Sequence, residues 1–223
     1  MLERIRTVID ATRAALADPT DTKQAFRIAE ALAFDTPQRT TRRYRRSPEG
    51  CRRLAERRRL LETLVDRAKL AAMPDGSFGR AYLAFIDREG ITPEGLVQAS
   101  VDGRMTYGDA DVAYVQQELR DMHDLWHTLL GYKGDLLGES AILAFSFAQT
   151  WHPGVGFLVG VGLVMSGEMK YRRFIVDGFR KGRRAAWLPA QAWEELLPLP
   201  LDEVRARLGI TPVADYEEIR HMV

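Results

Sequence analysis

The sequence predicts an all-α protein, a single-domain helical bundle. Three observations point there. Apolar residues recur at helical spacing through most of the chain. No stretch alternates β-branched residues in a sustained way, and no Asn-Gly hairpin turn occurs. The 223 residues, 46% of them apolar, suffice for one core but are short for two domains. The expected domain runs over residues 1–223.

Each expected helix is bounded by a break. Residues 1–16 carry Leu2, Ile5, Val8 and Ile9 at helical spacing with acids at Glu3 and Asp10, so this end reads as structure and not as a secretory address. It stops at Asp18-Pro19. Helical periodicity resumes over 22–33 and 50–72, and the second stretch ends at Pro74-Asp75-Gly76. The 79–89 helix ends at Gly90. A long 109–130 helix runs into the glycine-bearing turn 131–138, and 139–149 follows it. Pro153-Gly154 separates that helix from 156–164. The last two, 169–181 and 201–208, flank Pro198 and Pro200.

Composition excludes several classes. With 32 Lys+Arg against 31 Asp+Glu, the formal net charge of +1 argues against a nucleic-acid binder. A lone cysteine, Cys51, excludes an internal disulfide framework and suits a reducing compartment. The charge is nonetheless segregated. Residues 38–60 hold ten arginines against Glu49 and Glu56, and residues 170–184 hold seven basic residues against Asp177. Such stretches are either solvated helix faces or faces that meet an anionic surface, such as lipid headgroups or an acidic partner.

Between 140 and 167 lies a run of 28 residues without Asp, Glu, Lys or Arg. It does not read as a membrane span, because Trp151-His152-Pro153-Gly154 divides it and Gln149 and His152 would be costly in hydrocarbon. Two buried helices around an apolar cavity are expected instead. The glycines 154, 156, 160 and 162 do not form a dinucleotide fingerprint, since the third is misplaced and no βαβ pattern surrounds them. They allow close approach by a neighbouring helix or an apolar ligand.

The strongest chemical signal is His123-Asp124-Leu125-Trp126-His127, followed by Glu139. At about 100° per residue, His123, Asp124 and His127 fall within one arc of a helix. His123 and His127 stand one turn apart, a spacing that helical zinc sites use. Gly131, Gly134 and Gly138 turn the chain, and Glu139 falls in the first turn of the next helix, where an ionised carboxylate is favoured. Two imidazoles and two carboxylates make a divalent-metal site on a helical hairpin. The motif is not the metalloprotease H-E-x-x-H, because Asp124 stands where the glutamate would be. Nor does it match the HD phosphohydrolases, which need an upstream histidine that this chain lacks. Asp121 is a candidate to orient a ligand histidine, although an exposed helix position is the plainer reading. Glu168 and His152 read as surface or loop residues, and Cys51 as incidental.

His123-Asp124-x-x-His127, eleven residues, then Glu139 resembles the signature of the ubiquinone-biosynthesis "coenzyme Q four" family. The resemblance extends to Pro74-Asp75-Gly76-Ser77-Phe78-Gly79-Arg80-Ala81-Tyr82, to Tyr114-Val115, and to Arg120-Asp121 ahead of the motif. Gly138-Glu139, Trp193-Glu194 and the segment from Leu201 to Ile210 continue it, so it covers about residues 9–210. One departure is the almost wholly apolar 140–147, where the family often has charged residues after the motif glutamate.

The resemblance implies a helical protein, cytoplasmic and peripherally associated with the inner membrane, acting in ubiquinone biosynthesis. It implies a divalent metal, zinc first with iron or cobalt as alternatives, held by His123, Asp124, His127 and Glu139, which are also the expected catalytic residues. The implied reaction is decarboxylation and hydroxylation at C1 of a prenylated hydroxybenzoate ring. The implied partners are that prenylated quinone precursor, other quinone-biosynthesis enzymes and the membrane surface; the charge balance argues against nucleic acid, and the size of a peripheral chain is compatible with a homodimer. Segment 143–164 would line a tunnel for the prenyl tail, and the basic 170–184 would rest on headgroups. A non-catalytic prenyl-lipid-binding scaffold with a structural metal is the alternative, followed by a metallohydrolase of unrelated substrate.

Overall fold

Helix-start chemistry recurs along the chain, and it sets where the helices begin. The computed structural model describes residues 2–19, 21–101 and 107–220. Helix α1 (Leu2–Ala17) packs on α2 (Thr22–Ala31), whose first turn is capped by Asp21 accepting from the Lys23 amide. Helix α3 (Thr36–Arg46) runs into Ser47, whose hydroxyl caps α4 (Pro48–Glu56) with proline in the first helical position. Two short helices follow, α5 (Leu60–Leu64) and α6 (Arg67–Ala71), the latter capped by Asp66. Ser77 opens α7 (Phe78–Glu89) and Gly90, at φ 66°, closes it. After α8 (Pro93–Val101), Asp109 caps α9 (Ala110–Asp121), which leads through Met122 into α10 (His123–Leu130). Next come α11 (Leu136–Thr150), α12 (Pro153–Met165) and α13 (Met169–Arg184). A 3-10 turn (Leu188–Ala190), α14 (Trp193–Leu196) and α15 (Leu201–Leu208) complete the chain.

The all-helical expectation holds: the described residues contain no strand. One isolated bridge, Ser77 to Pro200, ties the start of α7 to the link before α15, helped by Phe78 N–H donating to the Leu199 carbonyl at 2.8 Å. The principal core gathers the apolar faces of α7, α10 and α11, among them Phe85, Leu125, Leu129, Ile142 and Phe145, under Trp193.

Three expectations are corrected. The 50–72 helix is broken twice. Arg57 takes a left-handed conformation at φ 55°, and the Leu60 amide donates 3.1 Å to the buried Glu118 carboxylate and not to a preceding helical carbonyl. Glu118 is in turn paired with Arg53, so a long-range ion pair overrides local periodicity. The 109–130 helix bends at Met122, which starts the motif helix afresh at His123. Helices α3 and α8 were not expected; the dense arginines of α3 obscure the face that buries Thr40, Thr41 and Tyr44.

The third correction concerns the uncharged run. It does divide at Trp151, but only its first half is core. Helix α11 buries Ala141, Ala144 and Phe145, whereas α12 buries only Gly154 and leaves Phe157, Val164 and Met165 exposed. The reason is that α13 already occupies the neighbouring place. A Cβ on Gly178 would stand 2.4 Å from the Ala141 carbonyl oxygen, and one on Gly182 would stand 2.6 Å from that of Phe145. These two glycines seat α13 directly on the α11 backbone. Helix α12 is left on the outside against α11 and α2, so segment 143–164 is half core and half surface. No helix of the described residues is long and apolar enough to cross a membrane.

Candidate metal centre

The hairpin between α10 and α11 is built from local chemistry. Gly131, at φ 74°, ends α10 as its left-handed cap. Asp135 then starts α11 by accepting from the Leu137 and Gly138 amides at 3.3 and 3.2 Å. Its carboxylate also accepts from the Tyr216 hydroxyl at 2.6 Å and the Ile219 amide at 2.8 Å, so the C-terminal segment clamps the turn. Gly138 is sterically required: a Cβ there would lie 2.1 Å from the Lys133 carbonyl oxygen.

This turn delivers Glu139 to the two histidines. The ligand-type atoms of His123, His127 and Glu139 all lie within 4.8 Å of one another, a group able to hold a metal ion. Glu139 Oε1 is 3.4 Å from His127 Nε2, and Oε2 is 3.8 Å from His123 Nε2. His127 is buried and stacks on Phe85 with ring centroids 5.4 Å apart. Its Nδ1 lies 3.2 Å from the Tyr132 carbonyl oxygen. A carbonyl only accepts, so Nδ1 carries the proton and the Nε2 lone pair faces Glu139. That buried Nε2 has no hydrogen-bond partner. His123 follows the same logic: its Nδ1 lies 3.0 Å from Asp124 Oδ1, which leaves Nε2 toward Glu139.

Electrostatics tie the three together. Burial pushes the Glu139 carboxyl up, but positive charge on the side of His127 and His123, from protonated imidazoles when no cation is bound, outweighs it and holds it down at about 2. Burial pulls the His123 imidazole down, while its bond to Asp124 and the charges of Glu139 and Asp124 raise it above the ordinary value. The Glu139 side chain remains 41% exposed, which places it at the mouth of the site.

Of the four residues read from the motif, the structure therefore gathers His123, His127 and Glu139. Asp124 is buried and turned to His123 Nδ1, outside the three-residue group. Asp121 is not an exposed helix residue: it is buried and paired with Arg120 at 2.6 Å and Arg59 at 3.3 Å. Glu168 is exposed and pairs with Lys170, and Cys51 is exposed. His152 is half-buried, and burial lowers its pKa to about 4. The sequence reading missed the roles of Phe85 and of the Tyr132 carbonyl. No local pattern announces a stacking ring from another helix, or a backbone oxygen presented by a turn.

Comparison with known proteins assigns the family. The family description "Coenzyme Q (ubiquinone) biosynthesis protein Coq4" matches residues 1–214. A mitochondrial ubiquinone biosynthesis protein of Pyricularia oryzae is 32% identical over 227 residues, covering 98% of this chain and 72% of that one. A Neurospora crassa protein of the same description is 32% identical over 225 residues, covering 98% and 63%. A Talaromyces stipitatus relative is 33% identical over 180 residues, covering 79% of this chain, and the match spans 61% of that relative's length. In fold, a crystal structure from Nostoc punctiforme superposes with a TM-score of 0.69 at 24% identity, covering 92% of this chain and 96% of that one. With a family match spanning nearly every residue and relatives above 30% identity aligned along the whole chain, the protein belongs to the Coenzyme Q (ubiquinone) biosynthesis Coq4 family.

Proposed function

We propose that this chain is a metal-dependent enzyme of ubiquinone biosynthesis, acting at C1 of a prenylated hydroxybenzoate ring, where a carboxylate is lost and a hydroxyl installed. The observation that carries the reading is His127 Nε2, a buried lone pair without a hydrogen-bond partner that faces Glu139 and His123. A divalent cation satisfies such an atom, so the residues fit the group the family implies. His123, His127 and Glu139 would hold the cation, and this set of two imidazoles and one carboxylate suits zinc, iron or cobalt. When bound, the cation supplies Lewis acidity for the ring carboxylate or a ring oxygen.

The chain's own residues divide the remaining work. The Tyr132 carbonyl and Asp124 hold the two imidazoles in the tautomer that presents Nε2, so Asp124 acts as an orienting partner of His123. Phe85 and the core behind it exclude water from His127. Glu139, half-exposed at the mouth, is the ligand able to yield a position to substrate. Replacing a carboxylate by a hydroxyl is a two-electron oxidation, so a second reactant, oxygen in the simplest case, takes the electrons. The exposed apolar face of α12, with exposed Arg173 and Arg180 on α13, supports a peripheral place on a membrane surface and access for a prenyl chain. In this reading the protein is cytoplasmic at the inner membrane, works beside other quinone-biosynthesis enzymes and forms a homodimer.

That same exposed helix also favours a second reading, a prenyl-lipid-binding scaffold in which the metal is structural. Incubating metal-loaded protein with prenylated hydroxybenzoate and oxygen, then weighing the ring by mass spectrometry, tests the enzymatic reading. The expected product has lost the carboxylate and gained one oxygen, and His127→Ala forms none. An unaltered ring with a fully metal-loaded protein favours the scaffold.

A further inference from the structure

Several arginines at helix junctions are answered by a carboxylate. Arg45 and Arg57 meet Asp111, Arg52 meets Glu49, and Arg53 meets Glu118 and Glu194. Arg43 and Arg183 are different: among the described residues neither is within ion-pair distance of an acid, and each lies over an indole instead. The Arg43 guanidinium sits 4.2 Å from the Trp187 ring centroid, and that of Arg183 sits 5.5 Å from Trp151. Stacking of this kind holds the guanidinium plane and leaves its N–H edge free to donate.

Both arginines line one cavity of about 90 Å³, where α3 meets the C-terminal ends of α11 and α13. Its frame is rigid. Gln149 spends its whole carboxamide on the backbone: Nε2 donates to the Gly182 carbonyl at 2.7 Å and to that of Ala186 at 3.2 Å, and Oε1 accepts from the Leu188 amide at 2.8 Å. Trp187 Nε1 donates to the Gln149 carbonyl at 3.1 Å. Trp151 turns the chain at φ 53°, and its carbonyl accepts from Arg39, which also pairs with Asp35 at 3.5 Å.

The helix C-termini would ordinarily repel an anion here. Four of their carbonyls are already engaged: Gly182 by Gln149, Gln149 by Trp187, Phe147 by the Trp151 amide at 2.7 Å, and Lys181 by the Ala185 amide at 2.9 Å. Contact with Trp187 and its surroundings desolvates Arg43 and lowers its pKa, with no acid to offset the cost. Two guanidinium groups thus line one polar cavity, and neither has an acid within ion-pair distance among the described residues. A carboxylate would answer one of them, whereas a phosphoryl dianion answers both. A cavity of about 90 Å³ has room for a phosphoryl group.

We propose that the cavity between Arg43 and Arg183 binds a phosphoryl group, either free in solution or carried on a lipid headgroup. The site is separate from the His123–His127–Glu139 group: Gln149 lies ten residues beyond Glu139 on α11, about 15 Å along the helix. It stands whether or not the metal centre modifies a quinone ring.

The full chain is titrated calorimetrically with inorganic phosphate at low salt. In parallel it is floated with phosphatidylcholine vesicles, with and without phosphatidic acid. Saturable binding is expected in at least one arm, weakened at least tenfold by Arg43→Gln and by Arg183→Gln, and unchanged by Arg207→Gln, which removes an equal charge on α15. Binding of free phosphate identifies a soluble ligand, and binding of phosphatidic-acid vesicles alone identifies a headgroup. All three arginines are exposed, and matched melting curves verify that the variants fold. No saturable binding in either arm overturns the proposal, as does an equal loss in all three variants. Neither readout involves the metal or the ring, so this outcome is independent of the enzymatic reading.

Discussion

His127 Nε2 lies 3.4 Å from the Glu139 carboxylate, across a hairpin whose turn tolerates no side chain at Gly138. The two groups come from different helices, and the chain between them is held by Asp135, Tyr216 and Ile219. The buried Nε2 on one side and the carboxylate on the other make a seat for a cation, with the turn between them already fixed.

Purified protein is therefore expected to carry about one divalent cation per chain, while His127→Ala and Glu139→Gln lose it. Elemental analysis checks this. Chelation is expected to lower the melting temperature of the wild type but not of these variants, because a ligand that binds only the folded state stabilises it. Equal metal content in all three proteins would refute the assignment.

Asp124→Asn separates an orienting role from direct ligation. If Asp124 acts through His123 Nδ1, the variant keeps the same metal stoichiometry at saturation and loses about 10–100-fold in affinity. Competition against a chromogenic chelator reads this. Complete loss of stoichiometric binding would instead make Asp124 a ligand.

Gly138→Ala places a methyl group against the Lys133 carbonyl oxygen. Overpacking of this kind costs about 1–3 kcal/mol, and here it also displaces Glu139. Chemical denaturation is expected to show the stability loss and metal titration the weakened site. Gly178→Ala, which clashes with the Ala141 carbonyl on another face of α11, should reduce stability similarly while sparing more of the metal affinity.

Arg53 sits buried between Glu118 and Glu194. Arg53→Met leaves Glu118 without its main counter-charge, and removing one partner of a buried pair costs about 3–5 kcal/mol. The melting temperature is the readout. Arg52→Met, at the half-exposed pair with Glu49, is expected to lower the melting temperature far less.

Acid stability has an identifiable contributor. Hydrogen bonds from Arg45 and Arg57 hold the Asp111 carboxyl below its ordinary value. A carboxyl depressed in the folded state contributes stability that is fully present above its unfolded pKa of about 3.9. That contribution is lost as pH falls through the lower folded value. Asp111→Asn should therefore melt earlier than wild type at pH 6, with the difference shrinking below about pH 4.

Much of this was legible in the sequence. Helical spacing of apolar residues dictated an all-α protein, and the hinge at Trp151-His152-Pro153-Gly154 announced itself through proline and glycine. His123, His127 and Glu139 were found because one helical turn and one short hairpin are local geometry, which spacing encodes. Other features were decided only when distant segments met. Whether 50–72 is one helix depended on Glu118 reaching the Leu60 amide, and whether α12 is core depended on Gly178 and Gly182 letting α13 sit directly on α11. The turning of Asp124 toward His123, the Tyr132 carbonyl behind His127, and the pairing of two uncompensated arginines with two indoles arise in the same way. Periodicity reports which residues share a face of one helix. What that face meets is set by competition among all the helices for the same buried space, and only the assembled structure resolves it.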